Sequence, residues 1–134
     1  MLFGIGTDII DVERLTKPFK KKGVQRLFTD KELDYIWVNG SGSSAFMKAA
    51  GNYAAKEAVV KAFGTGFVGM NPCDIEVLRH ESGAPYVRLY RGAKKFAKEN
   101  NITRIMVSIS NLKDYAIAIS VIENDPVEDE DTEA

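Results

Sequence analysis

Two rhythms of apolar and polar positions run along the chain. Ile105 to Ile109 and Tyr115 to Val121 alternate apolar with small or polar residues on either side of Asn111-Leu-Lys-Asp114, the mark of an antiparallel strand pair. Asp74 to Arg79 and Tyr86 to Tyr90 alternate in the same way across Ser82-Gly-Ala-Pro85, which predicts a second, hairpin-like pair. Residues 2 to 7 are small and apolar and predict a strand with Thr7-Asp8 at or near its end. From there Ile9, Ile10, Val12 and Leu15 continue into a mixed helical stretch broken near Pro18 and Gly23. Thr29-Asp-Lys-Glu32 is a capping box: the threonine hydroxyl accepts from a first-turn amide while Glu32 reaches back, so a helix is predicted from there to Trp37. Asn39 to Ser44 reads as a loop. The alanine-rich segment Ala45 to Phe63 is the clearest helix, ended by Gly64-Thr-Gly66 as a glycine cap. A last helix is predicted from Gly92 to Asn100.

Strands and helices are segregated rather than strictly alternating, which predicts an α+β fold with an antiparallel sheet packed against a long central helix. A length of 134 residues suits one domain with a real core. That domain is assigned to residues 1–124, and residues 125–134 are read as a disordered acidic tail. Asp125, Glu128, Asp129, Glu130, Asp131 and Glu133 fall there with no base and no apolar pattern.

Charge changes the picture more than bulk composition does. The formal net charge is −1, but with those six tail acids set aside 13 acids face 18 bases, and the body carries about +5. Between Arg14 and Thr29 stand Arg14, Lys17, Lys20, Lys21, Lys22 and Arg26 without one acid, so this face suits an anionic partner or is a solvated charged helix. Nucleic acid fits poorly, because only Phe19 and Phe28 interleave that stretch as stacking groups. No apolar run approaches the roughly 20 residues of a membrane span. The opening residues carry no basic segment before an apolar one, so the cytoplasm is the expected location. One cysteine, Cys73, and one histidine, His80, exclude an internal disulfide and a Cys/His zinc site, so any metal is held by oxygen. His80 reads as a turn residue.

Two carboxylates stand out. Asp8 follows a glycine-bearing strand, and Glu57 lies mid-helix with Tyr53, Ala54, Val60 and Lys61 three and four positions away on one face. Two readings are open: an intrahelical Glu57–Lys61 pair, or convergence of Asp8 and Glu57 on Mg²⁺, which takes one or two carboxylates together with substrate phosphates and water. Lys56 is open between a part in this chemistry and a solvated lysine.

Three blocks in order, Gly4-Ile-Gly-Thr-Asp8-Ile-Ile-Asp-Val-Glu-Arg14, Arg26-Leu-Phe-Thr-Asp-Lys-Glu32 and Ala54-Ala-Lys-Glu57-Ala-Val-Val-Lys61-Ala-Phe-Gly64-Thr-Gly66, closely resemble the holo-acyl-carrier-protein synthases, the short single-domain type of 4′-phosphopantetheinyl transferase. Asp74-Ile-Glu-Val, Gly83-Ala-Pro85 and Ser108-Ile-Ser110 followed by Tyr115-Ala116 extend the match, which covers roughly residues 2 to 122. The resemblance implies transfer of 4′-phosphopantetheine from coenzyme A to a serine of an apo-acyl carrier protein, releasing 3′,5′-ADP, in a cytoplasmic enzyme of fatty acid biosynthesis. It implies that Asp8 and Glu57 hold Mg²⁺, that Glu57 is the general base, and that Lys61 meets phosphate or steers the carboxylate. It further implies a homotrimer with coenzyme A between subunits, lined by Gly83 and Pro85. Gly64 and Gly66 either cap the helix or let backbone amides approach a phosphate. Arg14, Lys17, Lys21 and Arg26 would meet the carrier protein's acidic helix, chiefly speeding encounter and setting register.

Two positions depart from the family. Asn52 stands where arginine is usual ahead of the Ala-Ala-Lys-Glu block, and Asn111 stands where histidine usually follows Ser110; both remove a possible cation from coenzyme A, although asparagine still donates hydrogen bonds. Asn111 is accordingly a coenzyme A candidate. The competing readings are a catalytically degenerate member or an anion-binding protein of the same fold. The carrier-domain transferases of about twice this length are disfavoured by size.

Overall fold

The computed structural model describes residues 1–19, 25–40 and 42–126. Lys21 and the tail beyond Pro126 lie outside the described residues. Helix α3 (Ser43–Phe63) is buried along most of its length, and the two sheets gather round it. The first sheet has the order β1-β5-β4, with β1 Leu2–Asp11, β4 Ile102–Asn111 and β5 Tyr115–Asn124, all antiparallel. The second is the hairpin β2 (Ile75–Arg79) and β3 (Pro85–Leu89), preceded by a 3₁₀ turn at Pro72–Asp74. Helix α1 is Val12–Phe19, α2 is Asp30–Trp37 and α4 is Arg91–Glu99. The fold is α+β, as the pattern predicts, with the antiparallel strands in two sheets rather than one.

Small residues explain how a long helix lies so close to the sheet. The inner face of β5 is Ala116, Ala118, Ser120 and Ile122, all buried, and α3 answers with Ala54, Ala55, Ala58 and Ala62. On β1 the contact is between backbones. A Cβ built on Gly4 would lie 2.0 Å from the Ala62 carbonyl oxygen, and one on Gly6 would lie 2.0 Å from that of Ala58. Real Cβ atoms do not come that near, so only glycine permits this packing.

Local signals set the ends of the helices. Thr29 caps α2 and the reciprocal Glu32 bond is present, completing the capping box. Gly64 closes α3 at φ 81°, in the left-handed region that side chains resist, and its N–H donates to the carbonyls of Val60 and Lys61. The strand expected to stop near Asp8 instead runs to Asp11, and α1 continues through Pro18. Asp8 is therefore well inside β1, paired with Ala118. His80 opens the β2–β3 turn, its N–H donating to Ala84 O and its ring stacked on Tyr86 at 4.3 Å.

Candidate active site

The two glycines on β1 place the first carboxylate. Gly4, Gly6 and Asp8 share one face of the strand because side chains alternate with period two. Gly4 abuts Ala62 and Gly6 abuts Ala58, so two residues further along β1 the strand reaches the helix turn that carries Tyr53 and Glu57. Asp8 is mostly buried, with 16% of its side chain exposed, and its Oδ1 accepts from Lys61 Nζ at 3.0 Å. The helix spacing had offered Lys61 to Glu57; the ammonium instead crosses from α3 to β1.

Tyr53 reports that both carboxylates are close. Its phenol is pushed up to about 12, first by burial, then by its hydrogen bond to Glu57, then by the negative charges of Glu57 and Asp8. Tyr53 thus faces Glu57 and stays protonated at neutral pH. It also lines a cavity of about 210 Å³ with Ile9, Ile10, Asp11, Arg14 and Leu15. Arg14 of the basic stretch and Tyr53 thus share one cavity. Sequence reasoning had named Tyr53 only as a neighbour of Glu57; its signal was a hydroxyl four residues before the glutamate.

Among the described residues no group of three or more His, Cys, Asp or Glu gathers to hold a metal ion. The donor set is two carboxylates, and a hard dication that keeps waters and takes phosphate oxygens needs no more protein than that. A cation already rests on Asp8, since the Lys61 ammonium occupies a position where positive charge is favoured. The residues present fit Mg²⁺.

The other expected residues take no part in the Lys61–Asp8 contact. Gly64 spends its amide on the helix cap, while Gly66, at φ 60°, is exposed just beyond. Gly83 and Pro85 belong to the β2–β3 turn on the second sheet. Asn111 ends β4, on the opposite edge of the first sheet from Asp8; its Nδ2 donates to Met47 O at 2.8 Å, and it borders a cavity of about 310 Å³ with Tyr35, Ser43, Ser44, Met47 and Lys48. Arg14, Lys17 and Arg26 are exposed.

Two sequence readings need correction. Asn52 is fully buried and its amide points into the protein, Nδ2 donating to Glu32 Oε2 at 3.3 Å and to Val77 O at 3.2 Å. Lys56 is not solvated, and although it precedes Glu57 in the chain its ammonium turns to a different carboxylate. It is fully buried, and Nζ donates to Glu32 Oε1 at 2.6 Å, Pro72 O at 2.9 Å and Ile75 O at 2.6 Å. Glu32 accepts from Lys56 and Asn52 and also from Thr29 N and Val77 N. The ammonium's three donors are all used and the carboxylate is ringed by donors, an arrangement that suits the ionised pair. Burial lowers the Lys56 pKa and raises that of Glu32, each partly offset by the other.

A family model described as the 4′-phosphopantetheinyl transferase superfamily matches residues 4–120. The chain belongs to that family. A holo-[acyl-carrier-protein] synthase of Lachnoclostridium phytofermentans is 46% identical over 119 residues, covering 88% of this chain and 93% of the relative. Among solved structures, a holo-(acyl-carrier-protein) synthase from Bacillus anthracis in complex with CoA (3′,5′-ADP) superposes with a TM-score of 0.78 at 32% identity, over 93% of this chain and 99% of that one. The holo-[acyl-carrier-protein] synthase of Neisseria meningitidis gives 0.81 at 31% identity, over 92% and 100%.

Proposed function

We infer that this member of the transferase family moves the 4′-phosphopantetheine group of coenzyme A onto a serine of an apo-acyl carrier protein and releases 3′,5′-ADP. What supports the reading is the Lys61–Asp8 contact beside Tyr53, which feels the charges of both Glu57 and Asp8, on a glycine-bearing strand laid against α3. Asp8 and Glu57 would hold Mg²⁺. When bound, that ion neutralises charge on the pyrophosphate and keeps 3′,5′-ADP a good leaving group. Glu57 accepts the proton of the serine hydroxyl as its oxygen bonds to the β-phosphorus and the bond to 3′,5′-ADP breaks. Tyr53 orients Glu57 as a donor and takes no proton, because its own is held up to about 12. Lys61 contributes positive charge to the phosphates.

Arg14 supports docking of an acidic carrier helix, for it stands on the cavity that Tyr53 shares with the site. Lys17 and Arg26 add charge on the described part of that face. Trimerisation, with Gly83 and Pro85 of a neighbouring chain closing over coenzyme A, is supported by the outer face of the β1-β5-β4 sheet. There Ile5 and Ile9 are 60% and 63% exposed beside Tyr115, Ile117 and Ile119, an apolar patch that favours cover. No described helix is long and apolar enough to cross a membrane, which is compatible with the cytoplasm and fatty acid biosynthesis. The degenerate reading loses its first argument, since Asn52 packs in the core.

Incubating the protein with coenzyme A, Mg²⁺ and an apo carrier protein, then weighing the carrier, should show one added phosphopantetheine. A carrier of unchanged mass would refute the assignment. Sedimentation of the protein and of an Ile9→Glu variant checks the assembly, which should be trimeric for the first and smaller for the second.

A further inference from the structure

Lys61 has two carboxylates within its range and takes the less obvious one. Glu57 is one helical turn before it, where an intrahelical pair costs little, yet Nζ sits 3.0 Å from Asp8 Oδ1 on a different element. Its side chain is 53% exposed while that of Asp8 is 16% exposed. The pair therefore has a fixed, largely buried acceptor and a mobile cation that reaches it from water. Its stem springs from the last turn of α3, beside the Gly64 cap, so the head can swing without disturbing the core.

A dication bound through Asp8 Oδ1 would compete with that ammonium for the same oxygen. Magnesium takes a carboxylate oxygen at about 2.0–2.1 Å, and a positive head 3.0 Å from the same oxygen would crowd and repel it. We propose that Lys61 is a displaceable counter-ion of Asp8: it competes with the metal while no nucleotide is bound, and moves to the coenzyme A pyrophosphate when the metal takes its place. This rests on the metal reading above and goes beyond it, because it assigns one side chain two successive positions. Metal and coenzyme A then tighten each other, as any such linkage must act in both directions. An ion pair with one head half in water is weak enough to exchange readily.

The test uses Mn²⁺ as a spin-resonance probe on the full chain without carrier protein, so no turnover intervenes. Without coenzyme A, Lys61→Met should bind Mn²⁺ about two- to fivefold more tightly than the unaltered protein, the scale of a removed surface ion pair. With coenzyme A present the order should reverse or vanish, because the variant lacks the charge that meets the pyrophosphate. Lys61→Gln should behave alike, and thermal melting should show both variants folded. Equal or weaker Mn²⁺ binding by both variants in the absence of coenzyme A would overturn the counter-ion proposal. Asp8→Asn separates the two levels of inference. It should lose Mn²⁺ with and without coenzyme A, and if it binds as well as the unaltered protein the metal reading itself falls.

Discussion

Helix α3 carries two lysine–carboxylate pairs five residues apart, and they are opposites. Lys56 and Glu32 have no exposed side-chain surface, meet at 2.6 Å and leave no donor of the ammonium unused. Lys61 and Asp8 meet at 3.0 Å with the lysine half in water. The first joins α2, α3, the Pro72–Asp74 turn and β2; the second joins only β1 to the end of α3. The same two chemical groups thus form a dry joint with every ammonium donor used on one side of the helix and a wetted single contact on the other. A buried pair costs heavily to break, whereas a wetted one is nearly free to rearrange.

Breaking the wetted side should show in catalysis and hardly in stability. Asp8→Ala and Glu57→Ala are expected to lower kcat/KM for carrier modification by about three orders of magnitude or more, with a melting temperature near that of the unaltered protein. Retention of more than about a tenth of the turnover at saturating Mg²⁺ would remove the pair from the mechanism.

On the dry side the balance should invert. Lys56→Met leaves the Glu32 charge buried and unpaired, and denaturant unfolding should register a loss of about 3–5 kcal/mol. Replacing both partners, Glu32→Leu with Lys56→Met, should recover most of that loss. A single variant no less stable than the parent would show that the joint contributes nothing.

A third change attacks the placement of the wetted pair while sparing the dry one. Gly6→Ala drives a Cβ into the Ala58 carbonyl, so β1 must move off α3 and take Asp8 with it. Activity should fall about 10²-fold, the cost of a roughly 1 Å misplacement, with about 1–3 kcal/mol of stability. Full activity in that variant would mean that the glycines do not set the site.

The smallest effect concerns Tyr53. Its pKa is raised in the folded protein, so the folded state holds the phenolic proton more tightly than the unfolded chain does. That advantage is fully present below about pH 10 and is lost as pH rises through about 12. Stability should therefore decline across that window, and Tyr53→Phe should remove this part of the decline. An ultraviolet titration in which no tyrosine ionises later than about 10 would contradict the placement of Tyr53 against Glu57 and Asp8.

What the sequence disclosed follows the same division. Glu32 was legible as half of a capping box, and that reading holds, but its ion-pair partner was invisible because a lysine in an alanine-rich helix reads as solvated. The length of β1 was hidden for a related reason. Gly4 and Gly6 carry no hydropathic signal, and Ile9, Ile10 and Val12 satisfy either period, so the strand seemed to end at Asp8 when it runs to Asp11. Helices α2 and α3 were found because a capping box and a glycine cap are written locally. Asp8, Glu57 and Lys61 were named through ordered motifs. That Lys61 would choose Asp8 could not be read from spacing, because the choice depends on how closely two backbones approach.

The contact between β1 and α3 also bears on how this protein can change over generations. Since the two elements meet main chain to main chain at Gly4 and Gly6, the separation of Asp8 from Glu57 is set by atoms that every residue shares. Repacking of the apolar side chains around Val59, Val60 and Ile75 does not alter that main-chain contact directly. Two glycines thus tie the spacing of strand and helix to the main chain rather than to the side chains of the interior.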